Sequence, residues 1–313
     1  MNKSGDLGFR VGTGLFGVAL VATVGAIAFE LTRQSTLTIR QFGLGFWSTQ
    51  TWDPIAGEFG ALPFIWGTMY SSILALMIAT PISLGIAIFI SELCPSRFQK
   101  PLVFLTELLA AIPSIVYGLW GVFVLVPAVR WVETSMPDAL RQLPLFSGPP
   151  RGVGMLAAAV ILAIMVIPFT SSVAREVLKA VPGAQREGAY ALGATRLEAI
   201  RAALFYARTG IIGAVMLGFG RALGETMAVT MVIGNDPAVT TSLFAPQYTM
   251  AAVLANEFSE AADPRHLSAL TEIGLVLFVM TLVVNLLSRL LIWSMARGAQ
   301  GPAVTTATEV EAA

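Results

Sequence analysis

From Phe59 to Ser91 the chain carries no charged residue, a run of 33. At 1.5 Å per residue a helix of that length would reach about 50 Å. The hydrocarbon layer of a bilayer is only about 30 Å thick. Pro81 lies inside the run and is expected to bend or break a helix there, which places a kinked or tilted span at about 64–92. No soluble domain of this size tolerates such a stretch on its surface. The composition agrees: 56% of residues are hydrophobic and 12% charged, against roughly 25% charged in a soluble domain. Lipid is therefore the solvent for much of this surface.

Five further apolar stretches complete a six-helix reading. Nineteen uncharged residues separate Arg10 from Glu30. The others are LTELLAAIPSIVYGLWGVFVLVP, with Glu107 a turn or two into the span and Pro113 in mid-helix, and the stretches 152–174, 209–233 and 269–295. Lys3, Arg10 and the Ala26-Ile27-Ala28 triplet resemble parts of a signal peptide. The apolar run between them exceeds the usual core of roughly 7–15 residues, and an uncleaved first helix is expected. Residues 31–60 hold Trp47 and Trp52 and read as an external loop at the membrane–water interface, residues 130–151 as a proline-rich loop, and 249–262 as partly helical. Glu107 has two readings: a carboxylate among the headgroups, or a buried partner for a cation on another helix.

Six spans put both termini on one side. With the termini inside, twelve Lys and Arg face the cytoplasm. Six (Arg33, Arg40, Arg130, Arg141, Arg151, Arg265) face outward, and Arg221 stays in the membrane. The excess places the termini and the 175–208 loop in the cytoplasm.

Several activities are excluded by what the chain lacks. Its net charge is zero, so no basic surface for nucleic acid is implied. A single cysteine, Cys94, and a single histidine, His266, rule out an internal disulfide and a Cys- or His-based metal cage. None of Lys3, Lys100 and Lys179 follows a glycine, so no phosphate-cradling G-x-x-x-x-G-K-[ST] loop is present. If ATP is used, another chain hydrolyses it. No cofactor is expected. Intramembrane hydrolysis needs a Ser–His pair, paired aspartates or a His-bound metal, and no aspartate falls in an expected span. A secondary transporter or channel is the stronger rival, but no internal repeat of the usual kind is visible.

Two stretches carry the functional signal. Within 175–208, apolar Ala189, Leu192, Leu197, Ile200, Leu204 and Phe205 alternate with Arg186, Glu187, Arg196, Glu198 and Arg201. That spacing suits two short amphipathic helices broken near Gly193. Such helices either lie in the headgroups or dock on a cytoplasmic subunit, and periodicity does not separate the two. In 209–233, Arg221 and Glu225 stand four apart and are expected to share one helix face. Each costs about 2.5–3.5 kcal/mol near the bilayer centre. The pair is either a structural lock or part of a solute path. For an anionic solute the guanidinium fork matches phosphate oxygens, and exchangeable binding suits a conduit. Gly218, Gly220 and Gly224 either pack helices closely or line a passage.

Glu187-Gly188-Ala189 followed by Gly193 is similar to the E-A-A-x-x-x-G signature of bacterial ABC-importer permeases. Gly188 replaces the first alanine, and Ala203, Phe205 and Tyr206 occupy the I-x-L-P positions. The blocks ELLAAIPSIVYGLWG (107–121), GPPRGVGMLAAAVILAIMVIP (148–168), MLGFGRALGETMAVTMVIGN (216–235) and VLANEFSEA (253–261) resemble the phosphate-specific permeases, PstC type, in the same order. The resemblance runs from about residue 40 to 295. It implies an all-α polytopic membrane protein of six transmembrane helices, with type I ABC importer permease (MetI-like) architecture and a cytoplasmic coupling helix at Glu187, Gly188, Ala189 and Gly193. It divides the chain into a first helix and periplasmic loop (1–63), a permease domain (64–295) and a disordered cytoplasmic tail (296–313). It further implies import of inorganic phosphate through a path including Arg221 and Glu225 in the bacterial inner membrane. The implied partners are a second homologous permease subunit, two cytoplasmic ATPase subunits and an external phosphate-binding protein. Sulfate or molybdate is the alternative solute.

Overall fold

The computed structural model describes residues 3–299. Among them the only β pairing is two isolated bridges, Asp53 with Glu58 and Gly234 with Gln247. The chain opens with α1 (Lys3–Gln34), α2 (Thr36–Phe42) and α3 (Gly45–Ser48). Next comes α4 (Leu62–Ile88), which widens into a π turn at Phe89–Leu93. After α5 (Ser96–Ala111), α6 (Ser114–Trp120) runs through a second π turn into α7 (Val126–Ser135). The short α8 (Asp138–Arg141) leads to α9 (Met155–Lys179), α10 (Gly183–Ala191) and α11 (Arg196–Leu223). The last elements are α12 (Met227–Thr230), α13 (Met250–Glu257) and α14 (Pro264–Ala299).

Six helical segments are long and apolar enough to cross a membrane: Phe9–Gln34, Leu62–Leu93, Ser114–Ser135, Met155–Lys179, Arg196–Leu223 and Pro264–Met295. The expected count holds, and three boundaries move for identifiable reasons. Pro81 is accommodated inside α4, whereas Pro113 separates two helices. Ile112 adopts an extended ψ of 129°, as a residue before proline prefers. Glu107 therefore belongs to the separate helix α5, not to the third span. The fifth span starts at Arg196 instead of 209, because Ala199, Ile200, Ala203 and Ala207 turn inward and are buried. It ends at Leu223 instead of 233. The last helix continues to Ala299, past the boundary expected for the tail, whose remaining residues lie outside the described ones.

Contacts divide the chain into two units. One comprises the residues up to Ser72 with Pro113–Leu162 and Leu223–Thr281. The other comprises Ile73–Ile112, Ala163–Ala222 and the residues from Leu282 on. The first unit is centred on aromatic side chains. Trp52 meets Phe59 and Phe64 edge-on at 5.1 and 4.9 Å, a favoured geometry for ring quadrupoles. The Trp52 indole donates to Glu257 Oε2 at 3.0 Å, and the lone His266 contacts the same oxygen through Nε2 at 3.1 Å. His266 also stacks on Phe59 at 5.7 Å, so the only histidine is tied into the core. Burial pushes the Tyr248 hydroxyl up to about 12. α13 starts with Thr249 accepting from Ala252 N, while Thr68 Oγ1 accepts from Met250 N at 2.9 Å. α4 meets this loop at Gly67, where an added Cβ would lie 2.2 Å from the Tyr248 carbonyl oxygen. A backbone atom cannot rotate away. Gly67→Ala is expected to destabilise the protein by about 1–3 kcal/mol, the usual cost of overpacking, read as a lowered thermal midpoint of the purified chain.

The second unit is packed with small residues. Its core is formed by Ala87, Ala174, Leu178, Val181, Ala203, Ala207, Ile211 and Ala214. Glycine brings α11 against α9: a Cβ at Gly210 would lie 2.5 Å from Val177 Cγ1, and one at Gly218 would lie 2.4 Å from Thr170 Oγ1. Close approach through small residues gains dispersion contacts where lipid supplies no hydrophobic drive between helices.

Candidate functional site: an anchored surface helix and a broken fifth span

α10 follows Val181-Pro182. It ends in a Schellman turn: Ala194 N donates to Ala189 O at 3.1 Å and Gly193 N to Tyr190 O at 2.9 Å. Gly193 has φ +83°, the left-handed value that such a cap requires and that glycine adopts without cost. α11 restarts at once with a capping box, in which Glu198 Oε2 accepts from Thr195 N at 2.7 Å and Thr195 Oγ1 at 2.8 Å. The expected break near Gly193 is thus present. The second of the two short helices, however, is continuous with the fifth span.

α10 is largely exposed yet anchored. Glu187 and Gly188 are exposed and Ala189 half-buried, while Tyr190 and Leu192 expose 50% and 91% of their surface. Arg186, one turn before Tyr190, anchors the helix. Its Nε and Nη2 donate to the two carboxylate oxygens of Glu92 at 3.2 and 2.5 Å. Nη1 reaches Val181 O and Nη2 reaches Leu178 O, both at 3.1 Å. Glu92 lies in the π turn ending α4, and its side chain is 10% exposed. Arg196 donates to the Glu92 carbonyl as well. A planar guanidinium fork thereby ties a surface helix to a spanning helix. Sequence reasoning missed Glu92 as an anchor. Its available signal was its position as the first charge after the longest uncharged run.

The Arg221–Glu225 pair is not built as expected. α11 ends at Leu223, so the two residues do not share a helix face. Gly224, Glu225 and Thr226 form an irregular link, and Glu225 Oε1 accepts from Ala228 N at 3.3 Å, satisfying a donor at the start of α12. Arg221 is exposed, with its guanidinium carbon 5.8 Å from the centroid of Phe169, within cation–π range. Of the three glycines, Gly218 packs against α9, Gly220 has Asn285 Oδ1 3.9 Å from its Cβ position, and Gly224 is the turn itself. A hollow of about 460 Å³ adjoins the break, lined by Gly224, Thr226, Ala251, Leu254, Phe258 and Leu277 among others. Beyond α12, Gly234 and Asn235 both take positive φ, 95° and 53°, and Asn235 Nδ2 donates to Thr230 O. Irregular backbone at membrane depth is tolerated where it is buried in protein or lines a cavity. Among the described residues no group of three His, Cys, Asp or Glu is placed to hold a metal.

Residues 83–297 match the family model described as binding-protein-dependent transport system inner membrane component. The chain belongs to this family. Its relatives agree over nearly the whole length. The phosphate transport system permease protein PstC of Haemophilus influenzae is 46% identical, over 92% of this chain and 93% of the relative. The protein of the same name from Mesorhizobium japonicum is 43% identical, over 91% and 89%. The probable phosphate transport system permease protein PstC of Methanocaldococcus jannaschii is 40% identical, over 80% and 81%. Among solved structures, a chain of the MetNI methionine ABC transporter in inward-facing conformations is similar in fold. Its TM-score is 0.55 at 14% identity, covering 74% of this chain and 93% of that one. The chain therefore has an ABC-permease fold, with six candidate spans among its described residues, and is a membrane component of a transport system.

Proposed function

We propose that the chain is the transmembrane permease subunit of an ATP-driven importer of inorganic phosphate, forming half of the translocation path. The observation that carries this reading is α10, exposed along Glu187, Gly188, Tyr190 and Leu192 and clamped by Arg186 to Glu92. A helix held this way transmits displacement to α4, whereas one merely resting in headgroups needs no such tie. In this reading two cytoplasmic ATPase subunits seat on α10 and its counterpart in a second homologous permease. An external binding protein delivers phosphate, and both termini face the cytoplasm of a bacterial inner membrane. Residues 64–295 form the permease domain. Arg221 receives the anion at the end of α11, next to the broken backbone. Glu225 keeps that break open by capping α12.

The test is reconstitution. Vesicles holding both permeases, the ATPase and the binding protein accumulate phosphate only with ATP, and omission of the ATPase abolishes uptake. Phosphate crossing at full rate without the ATPase would refute the proposal. In the same system Glu187→Lys is expected to weaken ATPase association by about tenfold or more, since a like-charge mismatch at an interface costs kcal/mol, not tenths. Unaltered co-purification would return α10 to the role of a headgroup helix.

A further inference from the structure

A second basic site lies on the second unit, its lining distinct from α10 and from Arg221. A pocket of about 340 Å³ opens between the start of α5 and the end of α9, lined by Ile90, Gln99, Lys100, Val103, Phe104, Glu107, Arg175 and Lys179. Three cations meet there. Arg175 is the unusual one, with only 7% of its side chain exposed and its Nε without a hydrogen-bond partner. Its Nη2 is 2.7 Å from Glu176 and 3.7 Å from Glu107. Those carboxylates are 60% and 58% exposed, and so are largely solvated and weak partners. Lys179 stands 3.9 Å from the same Glu176 oxygen, and among the described residues no ion pair involves Lys100. Counting Glu107 and Glu176 against Arg175, Lys100 and Lys179 leaves one net positive charge. A buried guanidinium nitrogen without a partner is a costly arrangement. The opposite wall is apolar, with Val103 half-buried and Phe104 64% exposed.

We propose that Arg175, Lys100 and Lys179 form a binding site for a phosphate-bearing anion. The Arg175 fork supplies the oriented donors and the two lysines the point charges. The ligand chemistry has two sources: the phosphodiester of an anionic phospholipid, whose chains would lie along Val103 and Phe104, or inorganic phosphate from solution. The proposal is independent of the transport reading, because its readout is binding and not uptake.

The experiment uses the purified full-length chain, wild type and Lys100→Gln/Lys179→Gln. Both lysines are exposed, so the double variant folds. Native mass spectrometry measures retention of phosphatidylglycerol against phosphatidylcholine. Equilibrium dialysis with labelled inorganic phosphate, in zwitterionic nanodiscs, measures the soluble anion. Retention of phosphatidylglycerol over phosphatidylcholine, falling at least tenfold in the double variant, supports the site with lipid as its source. Saturable phosphate binding that falls in the same variant supports it with the soluble anion as its source. Equal retention of both lipids together with no saturable phosphate binding, or wild-type binding by the double variant in both arms, overturns the proposal. Saturable phosphate binding that is lost in Arg221→Leu but kept by the double variant belongs to the translocation path and counts against this site.

Discussion

Arg221→Leu is expected to lower phosphate uptake by about 10–100-fold while membrane insertion and assembly with the partner subunits are retained. A hydrogen bond to a charged group contributes about 1.5–3 kcal/mol, and each 1.4 kcal/mol is a factor of ten. The structural cost of the change is small. Arg221 is exposed, its contact is the face of Phe169 at 5.8 Å, and leucine packs against that ring. Removing a charge from the membrane also relieves about 2.5–3.5 kcal/mol of insertion cost at the helix centre, so lost expression is not the expected phenotype. The measurement is ATP-dependent uptake in reconstituted vesicles, normalised to inserted protein. Undiminished uptake would remove Arg221 from the path.

The six spans were legible because lipid imposes one rule on every exposed residue, and the runs between charges obey it. What the rule does not read is where a helix stops inside an apolar stretch. Residues 224–233 (GETMAVTMVI) contain one charge and look helical by composition, yet hydrogen bonding fails at Gly224. Glycine after a basic last turn is a stop signal, here concealed by the apolar residues that follow. The opposite error arose at Arg196 and Arg201, whose charges suggested a separate surface helix. Arg201 occupies the outer side of a helix whose inner side, Ala199 and Ala203, is buried, and Arg196 stands in its first turn, where it donates to the Glu92 carbonyl; a side chain can be solvated near the membrane boundary without interrupting the backbone. The break at Gly193 was legible because only one residue type takes φ +83° freely. The clamp on α10 was not, since Glu92 and Arg186 are 94 residues apart and no local period links them.

That clamp yields a second large effect. Glu92→Gln is expected to weaken the seating of α10 by about 2–3 kcal/mol, a factor of roughly 30–150. Breaking a buried pair costs about 3–5 kcal/mol. The lower figure applies because 24% of the Arg186 side chain meets solvent and its bonds to Leu178 O and Val181 O persist. A spin label at Leu192, 91% exposed, reads the seating directly: its distance distribution to α9 should broaden in Glu92→Gln and in Arg186→Gln. The double variant should add little to either, since both remove one interaction. Transport should fall with the same ranking, because a lever that moves without α4 does no work on it. The charge swap Glu92→Arg with Arg186→Glu separates mutual attraction from architecture. A glutamate at 186 would turn its carboxylate on the carbonyls of Leu178 and Val181, which need donors, so the swap should be worse than either single change. Wild-type seating in Glu92→Gln, or full recovery by the swap, would mean that α10 is held by something other than this fork.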